Sequence, residues 1–146
     1  MPQSIGLVSV LVRDYDEAIA FYVGVLGFSL IEDSQLPGES KRWVVVAPAD
    51  LSGSNGSKGP MGPKGAQILL AQATGDQQVA HIGNQTGGRV FLFLYTDDFE
   101  RDYANYQSRG VKFVREKVRE SYGTVAVFQD LYGNSWDLIQ LHPSAL

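Results

Sequence analysis

Few side chains in this chain of 146 residues can do covalent or metal chemistry. It contains no cysteine and two histidines, His81 and His142. Without cysteine there is no disulfide, no thiolate nucleophile and no sulfur-ligated metal. Neither histidine stands by a nucleophile motif, so a Ser–His–Asp arrangement has no support. The glycine-rich run at 53–65 leads into a strand rather than opening a helix, which excludes a phosphate loop. What remains is carboxylates, guanidinium groups and a large aromatic set of seven Phe, seven Tyr and two Trp. Most of these rings must be core, among them Phe21, Phe28 and Phe113. Trp136 is expected to face the helices. Of Arg42 and Trp43, neighbours that open one strand, alternation sends one to the cleft side of the sheet.

Positioning these groups requires a folded scaffold, and the composition supplies one. Apolar residues make up 44% of the chain and charged residues 19%, the proportions of an ordinary globular domain. The net charge of −4 is mixed along the chain and leaves no electrostatic footprint for nucleic acid or an anionic membrane. A basic small molecule would be mildly favoured over an acidic one. The first residues carry no basic leader pattern and no apolar run reaches the ~18 residues of a membrane span, so the expected location is the cytoplasm.

Residues 5–12 read as a strand that ends before Asp14, a helix N-cap with Glu17 as its capping-box partner. Ile19, Tyr22, Val23 and Leu26 then line one helical face, and Gly27 ends the helix. Strands are expected at 28–31, 42–46 and 66–72. The second half repeats the order, with a strand at 89–95, a cap at Asp97-Asp98, and Phe99, Tyr103 and Tyr106 on one helical face. Gly110 stops that helix, and strands follow at 111–114, 124–128 and 135–141. Asp14, Tyr15, Ile19, Tyr22 and Gly27 match Asp98, Phe99, Tyr103, Tyr106 and Gly110 with a one-residue gap. The pattern β-α-β-β-β therefore occurs twice, as module 1 (about 4–73) and module 2 (about 88–142). Two such modules read as one pseudo-symmetric α+β domain whose sheets enclose a cleft, the default binding site. Between them, in 52–65, Gly53, Gly56, Gly59, Gly62 and Gly65 recur at every third residue. That spacing is collagen-like but far too short for a triple helix, and it reads as a surface loop; a lid or an arm to a second subunit is the sharper alternative.

The run from Asp14 to Phe28, with its Phe-Tyr on the helix and closing Leu-Gly-Phe, resembles the signature of the vicinal-oxygen-chelate superfamily, which includes glyoxalases, bleomycin-resistance proteins and extradiol dioxygenases. Asp97-Asp98-Phe99 through Phe113 is similar to the partner signature. Asp130-Leu-Tyr-Gly-Asn-Ser-Trp-Asp-Leu138 resembles the closing Asp-Pro-x-Gly-Asn-x-x-Glu-Leu. The resemblance implies paired βαβββ modules forming a curved mixed sheet around a cleft, commonly as a homodimer. Metal-using members of the family hold a divalent ion with His and Glu from four strands. Here the first position falls on Leu7 and the second at or beside Leu69, with Gln67 on the same face. The third falls on Arg89 or Phe91, depending on the alignment, and the fourth on Asp137. Aliphatic side chains have no donor atom and a guanidinium repels a cation, so no metal ligand is assigned and no cofactor is expected.

These positions imply that Arg89 and Asp137 form a charge-assisted pair at the base of the cleft, with Gln67, Ser9 and Phe91 on its wall. Under that reading Arg89 receives a carboxylate or phosphate of a small-molecule ligand; the alternative is that the pair only fills the vacated site. The leading expectation is a metal-independent small-molecule binder. The alternatives are a lyase or dioxygenase-type enzyme on a degenerate metal site built from Gln67 and Asp137, and a metal-free enzyme with Asp137 as general base and Arg89 stabilising an oxyanion. An interaction domain acting through its dimer interface is the third.

Overall fold

The computed structural model describes residues 2–49 and 65–143. The glycine-every-third run, apart from Gly65, lies outside the described residues. By chain contacts the protein divides into two compact units, Met1–Ile82 and Gly83–Leu146.

The first unit runs β1 (Leu7–Val12), α1 (Tyr15–Ile19), a wider π-helical continuation (Ala20–Val25), β2 (Ser29–Gln35), β3 (Arg42–Ala47), β4 (Gln67–Gln72) and α2 (Gly75–Val79). Its four strands are ordered β1-β4-β3-β2, with β1 parallel to β4 and the other pairs antiparallel. As expected of an N-cap, the Asp14 carboxylate accepts the Glu17 backbone N–H at 2.8 Å, while the Glu17 carboxylate, expected to complete a capping box, accepts from Arg13 Nη2 at 2.8 Å. The single α-helix expected from the apolar spacing is instead α-helical for one turn and then widens. Leu26 N–H reaches Phe21 O, and Phe28 N–H reaches Tyr22 O across Gly27, whose φ is 78°.

The second unit runs β5 (Leu92–Tyr95), α3 (Phe99–Ser108), β6 (Phe113–Arg119), β7 (Gly123–Gln129) and β8 (Ser135–Leu141), with strand order β5-β8-β7-β6. Here β5 is parallel to β8 and the rest antiparallel. The Asp98 side chain caps α3 through Arg101 N–H, and Gln140 Oε1 accepts the Phe99 N–H at 2.8 Å. At the far end Val111 N–H bonds Tyr106 O around Gly110, a normal α-helical close. The one-residue gap between the matched halves therefore has a physical meaning. The first helix carries one extra residue between its cap and its stop, and a π turn absorbs such an insertion.

Much of each core lies between its sheet and its helix, and Val45, Val125 and Ile139 are buried on the opposite faces. In the first unit Val10, Val12, Val44, Val46 and Leu70 are fully buried with Tyr22. In the second, Phe128, Trp136 and Leu138 are buried beneath Phe99 and Tyr106, and the Phe128 and Trp136 rings stack at 5.7 Å. Phe28 is buried as expected, whereas Phe21 and Phe113 are half-buried. The turn before β8 is held by Asp130. Its Oδ1 accepts the backbone N–H groups of Tyr132, Gly133 and Asn134, and its Oδ2 accepts from Asn134 Nδ2 and Trp136 Nε1. Segment 83–90 docks on that turn, for Asn134 Oδ1 accepts Gln85 N–H. A Cβ on Gly83 would lie 1.9 Å from Tyr132 O.

Candidate functional site

Alternation along each strand fixes which side chains leave the core. In the second unit Leu92, Trp136, Phe128 and Phe113 lie in one register row toward α3, where the Phe113 ring stands 4.6 Å from Tyr103. The next row on the opposite face is Phe93, Asp137, Val127 and Arg115, one residue from each of the four strands. Tyr95 follows on β5, beside Ile139. Phe93 and Tyr95 are 56% and 63% exposed on an edge strand, a large apolar expenditure with no packing return within the unit.

Asp137 sits at the centre of this row. Its Oδ1 is buried and accepts no hydrogen bond. Burial pushes its carboxyl above the ordinary value, opposed in part by the positive charge of Arg115. Arg115 is thus the cation whose charge Asp137 feels, though no salt bridge joins the two. The expected Arg89–Asp137 pair does not form. Arg89 lies at an exposed bend ahead of β5, because the strand starts at Leu92 and not at residue 89. The glycines Gly87 and Gly88, with φ of 68° and 106°, turn the chain there, and the Arg89 carbonyl accepts the Thr86 hydroxyl.

Phe91 also precedes the strand. Its N–H donates to Ser135 O at 2.7 Å and its ring meets Trp136 edge-on at 6.4 Å. Gln67 and Ser9 share a face of the first sheet, in the rows Leu7–Gln67 and Ser9–Leu69–Val45–Glu32. That face is turned away from α1, since the neighbouring row Val10–Leu70–Val44–Asp33 is the one beside which Arg42 clamps to Asp33 and Asp16. Trp43, adjacent to Arg42, accordingly points to the same side as Ser9 and is 37% exposed. Of the expected site residues, then, Ser9 and Gln67 come together on one sheet. Asp137 stands on the other with Phe93 and Arg115.

Sequence reading passed over Arg115. The signal that finds it is internal. Glu32 and Arg115 each lie five residues past the helix-stopping glycine, and each follows a register shift in its strand. Such a bulge inserts a residue and re-aims the next side chain, so simple alternation misplaces it. The row Ser9–Leu69–Val45–Glu32 is in this way the counterpart of Phe93–Asp137–Val127–Arg115.

The positions to which the sequence resemblance assigns metal ligands carry Leu7, Leu69, Phe91 or Arg89, and Asp137. These residues do not fit a divalent cation, because only Asp137 offers a donor oxygen. Among the described residues no three His, Cys, Asp or Glu side chains group as a metal requires.

The family model for the Glyoxalase/Bleomycin resistance protein/Dioxygenase superfamily matches residues 4–138. The chain belongs to this superfamily. Its two four-stranded mixed sheets have the glyoxalase/bleomycin-resistance fold. An uncharacterized protein of Shewanella frigidimarina is 55% identical over 97% of this chain and 96% of its own length. The crystal structure of UcmS2 matches with a TM-score of 0.75 at 28% identity, covering 95% of this chain and 98% of that one. TnmS3, an antibiotic-binding protein from Streptomyces sp. CB03234, matches with a TM-score of 0.68 at 29% identity, covering 97% and 98%. Within this superfamily the fold hosts several chemistries, so function must be argued from the site. No helix among the described residues is long and apolar enough to cross a membrane.

Proposed function

We propose that this protein binds a small organic molecule, without a metal ion, on the face of the second sheet turned away from α3. The observation that carries this reading is the buried, unpartnered Oδ1 of Asp137 set beside exposed aromatic rings. A buried acceptor left unpaired costs free energy, and a ligand O–H or N–H would supply the missing donor. Phe93 and Tyr95 offer ring faces for stacking alongside. Similarity to TnmS3, an antibiotic-binding protein, supports an aromatic natural product or a molecule of that kind as the class to test first. The donor set supports independence from metal, because a lone carboxylate among aliphatic and aromatic neighbours gives an ion too few ligands.

The acid–base alternative keeps a general base in Asp137 but loses its other half. Arg89 stands at an exposed bend outside the Asp137 row, so no oxyanion partner is assembled from that pair.

The test is a thermal-shift screen of aromatic antibiotics and aromatic acids, run on protein dialysed against EDTA and again with added zinc or nickel. A ligand for the folded state raises the midpoint, by about 2.7 kcal/mol of stability at a hundred times its Kd. The expected outcome is a shift that is the same with and without metal and is lost in Phe93→Ala. A shift that appears only with added metal would overturn the metal-free reading.

A further inference from the structure

We propose that Arg115 is the specificity-determining residue of the second sheet, and that the site accepts an aromatic molecule bearing an anionic group, which the guanidinium reads. The inference rests on the binding reading above and adds to it the charge of the ligand.

Three observations support it. Register places Arg115 in the same row as Asp137, separated by β7 alone, so the two backbones stand two strand spacings apart, about 9–10 Å. The guanidinium is exposed and makes no hydrogen bond or ion pair among the described residues, while Arg42 and Arg101 are each tied to two aspartates. The bulge between Phe113 and Arg115 breaks the alternation of β6 so that Arg115, not Val114, pairs with Val127 in this row. Apart from Asp137 and Arg115 themselves, the residues that register places in or beside this row, Phe93, Tyr95, Val127, Val125, Ile139 and Gln129, are uncharged.

A ligand that spans the row therefore meets a ring at Phe93, an acceptor at Asp137 and a free cation at Arg115. A cationic ligand would gain at Asp137 and lose at Arg115. An aromatic acid with a neutral O–H or N–H gains at both. A planar guanidinium also binds carboxylate or sulfonate in a two-pronged geometry that an ammonium cannot copy.

The experiment uses two fluorescent probes of one skeleton, anilinonaphthalene sulfonate and the phenylnaphthylamine that lacks the sulfonate. Both carry an aromatic pair and an N–H, so they differ in the anion alone. Binding is measured by fluorescence titration on the full chain, wild type and Arg115→Met, Arg115→Lys and Phe93→Ala. Methionine keeps an apolar stem at an exposed position, and circular dichroism checks that the fold is retained. The expected result is that the sulfonate probe binds wild type about tenfold more tightly than the neutral one or better. Arg115→Met should abolish that preference and leave the neutral probe unchanged, Arg115→Lys should keep part of it, and Phe93→Ala should weaken both probes alike. If both probes bind with no preference, or the preference survives Arg115→Met, the charge assignment is wrong and the binding reading stands. If Phe93→Ala leaves both probes unaffected, they bind elsewhere and the assignment also fails. If neither probe binds wild type, both readings fall.

Discussion

Replacing Asp137 with leucine should make the protein more stable. The chain itself supplies the reason for choosing leucine, since Leu69 occupies the counterpart position in the first sheet. A buried acceptor without a donor costs about 1–3 kcal/mol, and Asp137 is only half-buried, so the lower part of that range applies. A gain of about 1–2 kcal/mol in a domain of this size corresponds to roughly 3–6 °C in Tm. The assay is urea unfolding at pH 7, repeated at intervals down to pH 4. Burial raises the carboxyl above its unfolded value, so the folded state binds the proton more tightly than the unfolded chain does. The penalty is thus fully present above the folded pKa. It is relieved as the pH falls through the folded pKa toward the unfolded one, near ~3.9. The gap between variant and wild type should be widest at pH 7 and shrink on acidification. A variant that is equally stable or less stable at pH 7 would mean that the carboxylate already has a partner, and the argument for a ligand donor would go with it.

Asp130→Ala removes the acceptor for five donors at a buried turn and should cost about 3 kcal/mol in chemical unfolding, whereas Asp130→Asn should recover part of that. Gly83→Ala should cost about 2–4 kcal/mol, because φ is 75° and the new Cβ meets Tyr132 O at 1.9 Å. Gly87→Ala, at φ 68° with open space around it, should cost only about 1 kcal/mol, and equal costs would refute the close-approach argument. Arg89→Leu should leave the affinity of any ligand found in the thermal-shift screen unchanged within a factor of about two, since Arg89 is exposed and outside the Asp137 row. A tenfold loss in titration would restore Arg89 to the site.

The elements were legible where a local rule decides them. Asp14 and Asp98 announce helix starts and do cap them, and Gly27 and Gly110 announce stops and adopt positive φ. The inward face of Trp136 followed from its place next to Asp137 in a strand, and it is 2% exposed. Strand ends were less legible, because pairing depends on partners distant in sequence. Arg89 and Val90 were expected in the strand, yet they lie outside the sheet where Gly87 and Gly88 bend the chain and Gln85 is tied to Asn134. That displacement removed Arg89 from its expected place. In β6 the expected strand ended at residue 114, whereas pairing with β7 continues through a bulge to Arg119. The residue that matters electrically to Asp137 lay just past the expected end. The short helix α2 gave no apolar period to read, and none of its residues is buried.

The duplication supports placing the proposed ligand on the second sheet rather than the first. The two rows have the same construction, with an edge residue, a central residue, a valine and a charged side chain behind a bulge. In the first row the central residue is Leu69, which has no polar atom to satisfy, and Glu32 at its end already accepts a hydrogen bond from Ser34 at 2.9 Å. In the second row the central residue is an acid with an orphaned oxygen, and the terminal guanidinium has no partner among the described residues. The first row therefore demonstrates that this scaffold tolerates an apolar residue at the centre and satisfies its own charge at the end. A buried oxygen left unsatisfied in an otherwise equivalent frame is not a requirement of the fold. Under the proposed function, a molecule that donates to Asp137 at one end and accepts from the exposed Arg115 at the other engages both at once.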